Sequence, residues 1–215
     1  FPVSNNSFFI DFDDLERKTT DPKVKVMLLC NPHNPAGRVW TREELTRIGE
    51  ICIRNGVMVV ADEIHCELIL PDYVYTPFAS ISDEFLIHSI TCLSPSKAFN
   101  IAGLQIANIV CADDVVRAKI DRAINDNEVC DVNPFGVIST QAAYNDSEEW
   151  LEQLLDYLNQ NYLYMRDFCK TYLPGFPITI LEGTYLVWMD CRKFRISSEQ
   201  LEHRLVNEAR LWLNA

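Results

Sequence analysis

An α/β protein with a largely parallel sheet is what the sequence predicts. Three observations carry this: short continuous apolar runs, helical periodicity in the segments between them, and turn residues at the junctions. The first run is "KVKVMLLC" (23–30), bounded by a Pro turn. "TREELTRIGEICIRNG" follows as a helix, in which Thr41 and Glu44 make a capping box, Leu45, Ile48 and Cys52 recur at helical spacing, and Gly56 ends the element. "VMVVAD" (57–62) is a second buried strand, and "HSITCLS" (88–94) and "LQIANIVCA" (104–112) are two more. A helix is predicted over 113–125 and a long one over 148–172, where Leu151, Leu154, Leu155, Leu158 and Tyr162 share a face. "LPGFP" (173–177) stops that helix, "ITILEGTYLVWMD" reads as paired strands, and a last helix covers 198–209. The long helix divides the chain into part of a first, major domain, 1–150, and part of a second, smaller one, 151–215.

Composition narrows the partners. Lys and Arg total 19 against 31 Asp and Glu, and the resulting charge of −12 leaves no basic stripe to neutralise phosphodiesters, which argues against nucleic acid. No stretch approaches the roughly 20 uninterrupted apolar residues of a membrane span. The first thirty residues hold no signal-type apolar run, so a soluble, cytoplasmic protein is expected, with no membrane partner. The eight cysteines are far apart and form no C-x-x-C pair, which removes the zinc and redox signatures and leaves most of them as small hydrophobes within apolar runs. No metal site is expected.

Open α/β sheets bind ligands beyond the carboxyl ends of their strands. The residues there are "NPHNPAG" (31–37), "DEIH" (62–65) and "SPSK" (94–97). A lysine rarely closes a buried strand unless something nearby uses its charge or removes it. If the three ends converge, they offer hydroxyls for a phosphate, a carboxylate for a ring cation and an amine for an aldehyde. That combination describes pyridoxal 5′-phosphate (PLP).

"CNPHNPAGRVWTREEL", "VVADEIHCEL", "SPSKAFNIAGLQ" and "EGTYLVWMD", taken in order, resemble the fold-type I PLP enzymes of aminotransferase class I/II. Within that group they are most similar to the cystathionine β-lyase type of C–S lyase related to the maltose-regulon modulator. The resemblance covers nearly the whole chain. It implies a three-layer α/β/α major domain with a seven-stranded mixed sheet, part of a small α+β C-terminal domain, and a homodimer with active sites at the subunit interface. By position, Lys97 matches the lysine that condenses with the cofactor aldehyde and then carries the substrate Cα proton. Asp62 matches the carboxylate that keeps the pyridine nitrogen protonated. Asn34 matches the residue that bonds the cofactor's 3′ oxygen, and His65 stands where many relatives place a tyrosine serving the same oxygen. Ser94 and Ser96 match phosphate-binding hydroxyls. Gln105 departs from the pattern, since many aminotransferases carry there an arginine paired with the phosphate, and glutamine favours the lyase subgroup. The glycine-rich phosphate turn, the ring-stacking aromatic and the arginine for the substrate carboxylate are missing, which implies an interior fragment.

Each residue also has a plainer reading. Lys97 alone is a surface charge after a strand, Asp62 a cap for the next segment, Asn34 a turn former between prolines, and His65 a packed or surface imidazole. His33, His88 and His203 read as structural or solvent-facing, Tyr185 and Trp188 as core, and Glu43 and Glu44 as helix cap and solvated face. The expected reaction is β-elimination from a sulfur amino acid such as cystathionine to a thiol, pyruvate and ammonia. The alternatives are an aminotransferase, or a regulatory binding protein that keeps the fold without turnover.

Overall fold

A computed structural model describes residues 3–4 and 7–213. A short antiparallel pair, β1 (Val3–Ser4) and β2 (Ser7–Phe8), precedes helix α1 (Phe12–Thr19), whose first turn is capped by the Asp11 carboxylate accepting from the Asp14 amide at 2.9 Å. Four longer strands follow: β3 (Val26–Cys30), β4 (Met58–Asp62), β5 (Ser89–Leu93) and β6 (Asn108–Cys111). They form one sheet in the order β3-β4-β5-β6, with the first three parallel and β6 antiparallel to β5. The mainly parallel sheet agrees with the sequence pattern, and the described residues supply four strands of the seven that the resemblance implies.

Helix α2 (Arg42–Arg54) crosses from β3 to β4 and starts at the expected capping box, where the Thr41 hydroxyl accepts from the Glu44 amide and the Glu44 carboxylate from the Thr41 amide. It closes at Gly56, whose φ of 66° is a left-handed value that glycine takes without strain. Leu45, Ile48 and Cys52 of this helix meet Leu29, Val59 and Ala61 of the sheet, together with Trp40, Val57, Phe78 and Phe85, and this is the main core. Strand pleating turns the alternate residues to the other side, where Leu28 is 79% exposed.

Helix α3 (Asp83–Ile87) precedes β5. After β6 come α4 (Asp114–Asp126), α5 (Pro134–Asp146), α6 (Glu148–Tyr172) and α7 (Ser198–Asn207). The α6 limits match the apolar stripe, and its Leu151, Leu154, Leu155, Leu158 and Tyr162 are all half-buried. The paired strands expected within 178–190 do not form as a hairpin ladder. Ile178 and Met189 make a single bridge, while Ile69 bridges Gly183. The 181–184 backbone is instead satisfied by two loops: Glu182 donates to Gly37 at 2.8 Å, Leu70 donates to Glu182 at 2.9 Å, and Thr184 donates to Leu68 at 2.8 Å. These partners lie more than a hundred residues upstream, so local alternation had no access to them.

Gly49 of α2 faces the ring of Phe85, and a Cβ placed there would lie 1.9 Å from a ring carbon. Gly49→Ala therefore forces the buried ring to move, and unfolding in urea should show a loss of about 1–3 kcal/mol although alanine is the better helix former. A variant as stable as the parent would show that the contact between α2 and α3 is loose.

Candidate functional site

The parallel register sets Cys30, Asp62 and Cys92 level across β3, β4 and β5. The ladder continues one step beyond the strands, with the Asn31 amide donating to Asp62 O and the Glu63 amide to Cys92 O, each at 2.9 Å. The loops "NPHNPAG", "DEIH" and "SPSK" thus leave from adjacent points at one end of the sheet.

Successive strand residues face opposite sides, and this separates the two acids. Asp62 is exposed, and its Oδ1 accepts from the Ile64 amide at 3.2 Å. Glu63 is 1% exposed. Its carboxylate accepts from the Phe78 amide at 2.8 Å, the Tyr75 hydroxyl, and Asn31 Nδ2 at 3.4 Å, and Asn31 Nδ2 donates also to Thr76 O at 3.0 Å. Burial pushes the Glu63 carboxyl above its ordinary range, against the pull of those donors. Glu63 is thus an anchor that ties the start of the Asn34 loop to the 75–78 segment.

His65 is 2% exposed. Its Nε2 lies 3.4 Å from Asn34 Nδ2, and the Tyr185 ring stands edge-on to it at 5.6 Å between centroids. Burial holds the imidazole below its usual range, while Asp62 pulls it upward and Lys97 pushes it further down. What the structure brings together directly is the Asn34 loop and the segment after β4, through the contact of Asn34 with His65. Asn34 and Lys97 are both exposed.

Ser94 and Ser96 have different surroundings. Ser94 is 3% exposed, its Oγ lies 2.6 Å from the Ile106 carbonyl, and it accepts from the Ser96 amide at 3.1 Å. The Ser96 hydroxyl, 2.8 Å from Ser94 Oγ, is half-buried. Ser94 shapes the turn, and Ser96 keeps the more accessible hydroxyl. Gln105 is exposed at the end of a 3₁₀ turn (Ala102–Leu104), with a left-handed φ of 51°.

Sequence reasoning missed the second clamp. Arg38, 7% exposed, donates from one terminal nitrogen to both oxygens of Glu182 (2.8 and 2.6 Å) and from the other to both oxygens of Glu44 (2.7 and 2.9 Å), while its Nε donates to Phe8 O at 3.0 Å. Glu44 is thus more than a cap and solvated face, because it also pairs with a buried guanidinium. Nothing local signals a pair 144 positions apart. The inward Glu63 was signalled: with adjacent acids closing a strand, alternation sends one of them inside. Tyr185 and Trp188 are 40% and 41% exposed, so the expected core packing gives way to a half-open face. Tyr185 follows Thr184, which is fully buried at a φ of 70°, a conformation that a β-branched residue holds only when its surroundings impose it. Among the described residues no His, Cys, Asp or Glu cluster could hold a metal ion, and no helix is long and apolar enough to cross a membrane.

Two changes test this arrangement. Tyr75→Phe removes a donor to the buried Glu63 carboxylate, and urea unfolding near neutral pH should register a loss of about 1.5–3 kcal/mol; an unchanged midpoint would mean the hydroxyl does not serve Glu63. His65 has a depressed folded pKa, so its contribution to stability is complete above the unfolded value of about 6.5 and is lost as pH falls through that value toward the folded one. Unfolding measured at intervals from about pH 7.5 to about pH 5.5 should show His65→Gln losing stability less steeply than the parent, by up to about 1.4 kcal/mol per pH unit. Parallel slopes would contradict a buried neutral imidazole.

The model of the family described as aminotransferase class I and II matches residues 1–215. The cystathionine beta-lyase PatB of Bacillus subtilis is 41% identical over 209 residues, which are 97% of this chain and 54% of that protein. Cystalysin of Treponema denticola, solved with a pyridoxal 5′-phosphate cofactor, superposes with a TM-score of 0.96 at 30% identity, over 99% of this chain and 54% of that one. A PLP-bound C-S lyase of Staphylococcus hominis gives a TM-score of 0.87 at 36% identity, over 96% and 53%. The chain spans about half the length of the relatives it matches.

Proposed function

The chain belongs to the aminotransferase class I and II family, and from that premise we propose that it carries most of the cofactor site of a PLP-dependent C–S β-lyase. The reaction is cleavage of cystathionine or a related sulfur amino acid to a thiol, pyruvate and ammonia. One observation carries the reading: three chemically distinct loops leave level ends of three parallel strands.

The residues present fit PLP. An exposed carboxylate, an exposed amine and a half-buried hydroxyl match a ring cation, an aldehyde and a phosphate, and Asn34 adds an exposed carboxamide. When bound, PLP supplies an electron sink for the pair released from the substrate Cα–H bond. Lys97 would hold the group through Nζ, and the same nitrogen would take the substrate Cα proton. Asp62 would be the carboxylate that pairs with the ring nitrogen and holds a proton there. Ser96 would donate to the phosphate, and Ser94 fixes the turn that presents Ser96 and Lys97. Gln105 offers the phosphate a hydrogen bond without charge, and this supports the lyase over general transamination, as do the lyase names among the relatives. A homodimer with a shared active site accompanies this reading. All eight cysteines are free, which suits a reducing, cytoplasmic setting.

The full-length protein loaded with PLP should release pyruvate and thiol from cystathionine without any added keto acid. Borohydride should fix PLP to Lys97, identifiable by peptide mass spectrometry, and Lys97→Ala should lower turnover by about 10²–10⁴-fold. Strict dependence on a keto acid would make the protein an aminotransferase. Label at another lysine would remove Lys97 from its role.

A further inference from the structure

The two residues at the ring-oxygen side of the site are unequally accessible. Asn34 is exposed, and the hydrogen bond from its carboxamide to His65 Nε2 is the one that its side chain makes among the described residues. His65 is 2% exposed, and the edge-on Tyr185 ring packs against it. Its other nitrogen, Nδ1, is buried and meets no hydrogen-bond partner among the described residues. A group so enclosed has little surface to offer a ligand, whereas an exposed carboxamide with a single tether has a direction set by that tether. Without it the Asn34 side chain would sample several rotamers, and a ligand would have to order it on binding. Burial keeps the imidazole neutral, so Nε2 can serve as the acceptor for the amide. Two side-chain contacts hold the tether in place from outside: Glu63 anchors Asn31 at the start of the loop, and the Arg38 pair with Glu182 anchors its end.

We propose that His65 is a positioning residue that acts through Asn34: its buried Nε2 sets the direction of the Asn34 carboxamide, and Asn34 makes the contact with the ligand. This rests on the PLP reading above and differs from two independent contacts to one cofactor oxygen, because it makes the two residues a single functional unit.

Residues that act as a unit show non-additive substitution effects, and a double-mutant cycle reads this directly. The cycle uses the full-length protein stripped of cofactor, with PLP affinity taken from absorbance titration of the parent, His65→Phe, Asn34→Ala and the double variant, and folding checked by circular dichroism. Each single change should weaken PLP binding about five- to tenfold, the order expected for one hydrogen bond, and the double should be no more than about twofold weaker than the worse single. If the phenylalanine is not accommodated, His65→Leu carries the same cycle with a smaller side chain. Multiplying effects in the double variant, or parental affinity in the His65 single, would overturn the proposal. A parent that does not bind PLP at all would instead overturn the cofactor reading, and the two failures are thus distinct.

Discussion

The register of three parallel strands is the constraint on which the rest depends. With Cys30, Asp62 and Cys92 level, three loops of different chemistry start within adjacent strand spacings of one another, and no long-range folding of those loops is needed to bring them together. The register is enforced from the opposite face. Leu29, Val59 and Ala61 must all point into the core beneath α2, and a slip of one residue in β4 would turn Asp62 inward and Glu63 outward. The same packing that stabilises the sheet therefore decides which of two neighbouring acids is available to a ligand.

Loops leaving a sheet need fixing if their side chains are to hold a direction, and here buried charge does it. Glu63 collects donors from Asn31, Tyr75 and Phe78, and Arg38 is held between two bidentate carboxylates. Such groups are costly to bury unless nearly every donor and acceptor is satisfied, and a satisfied network excludes alternatives, since moving one member strands the others. The Asn34 loop is gripped at both ends in this way. The guanidinium also brings Glu182 against Gly37, where φ is 73° and a side chain would strike Leu181, so the C-terminal segment reaches His65 through Tyr185 along a path that leaves little freedom.

Much of this was legible in the sequence because its signals are local. The runs that became β3, β4 and β5, the capping box of α2 and the stripe of α6 each reside in a few neighbouring residues. What was not legible has two causes. The helices α1, α3 and α5 are short or lack an apolar stripe, as in "PFGVISTQAAYND", so periodicity does not announce them. The segment 178–190 alternates like a strand and its ends pair with each other, but the backbone of 182–184 is satisfied by Gly37 and by residues 68–70, and no pattern within the segment encodes partners so distant. The predicted strand 104–112 is observed as Asn108–Cys111; its first residue belongs to the 3₁₀ turn 102–104, and Gln105 takes a left-handed φ of 51° that no strand continues through.

The candidate site divides in the same manner. Residue types at strand ends name the chemistry available, yet tertiary packing decides which atoms remain free to perform it. Ser94 and Ser96 are equivalent in the motif, but one hydroxyl faces the Ile106 carbonyl while its neighbour stays reachable. Asn34 and His65 are likewise both polar and both near the same corner, but only the amide is exposed. A motif thus overstates the number of groups that can touch a ligand, and the surplus members are the ones that hold the others still. On the proposed reading, rigidity of this kind has a chemical use: an amine that would bind covalently and move a proton on the same nitrogen works best when every other contact is set before the ligand arrives.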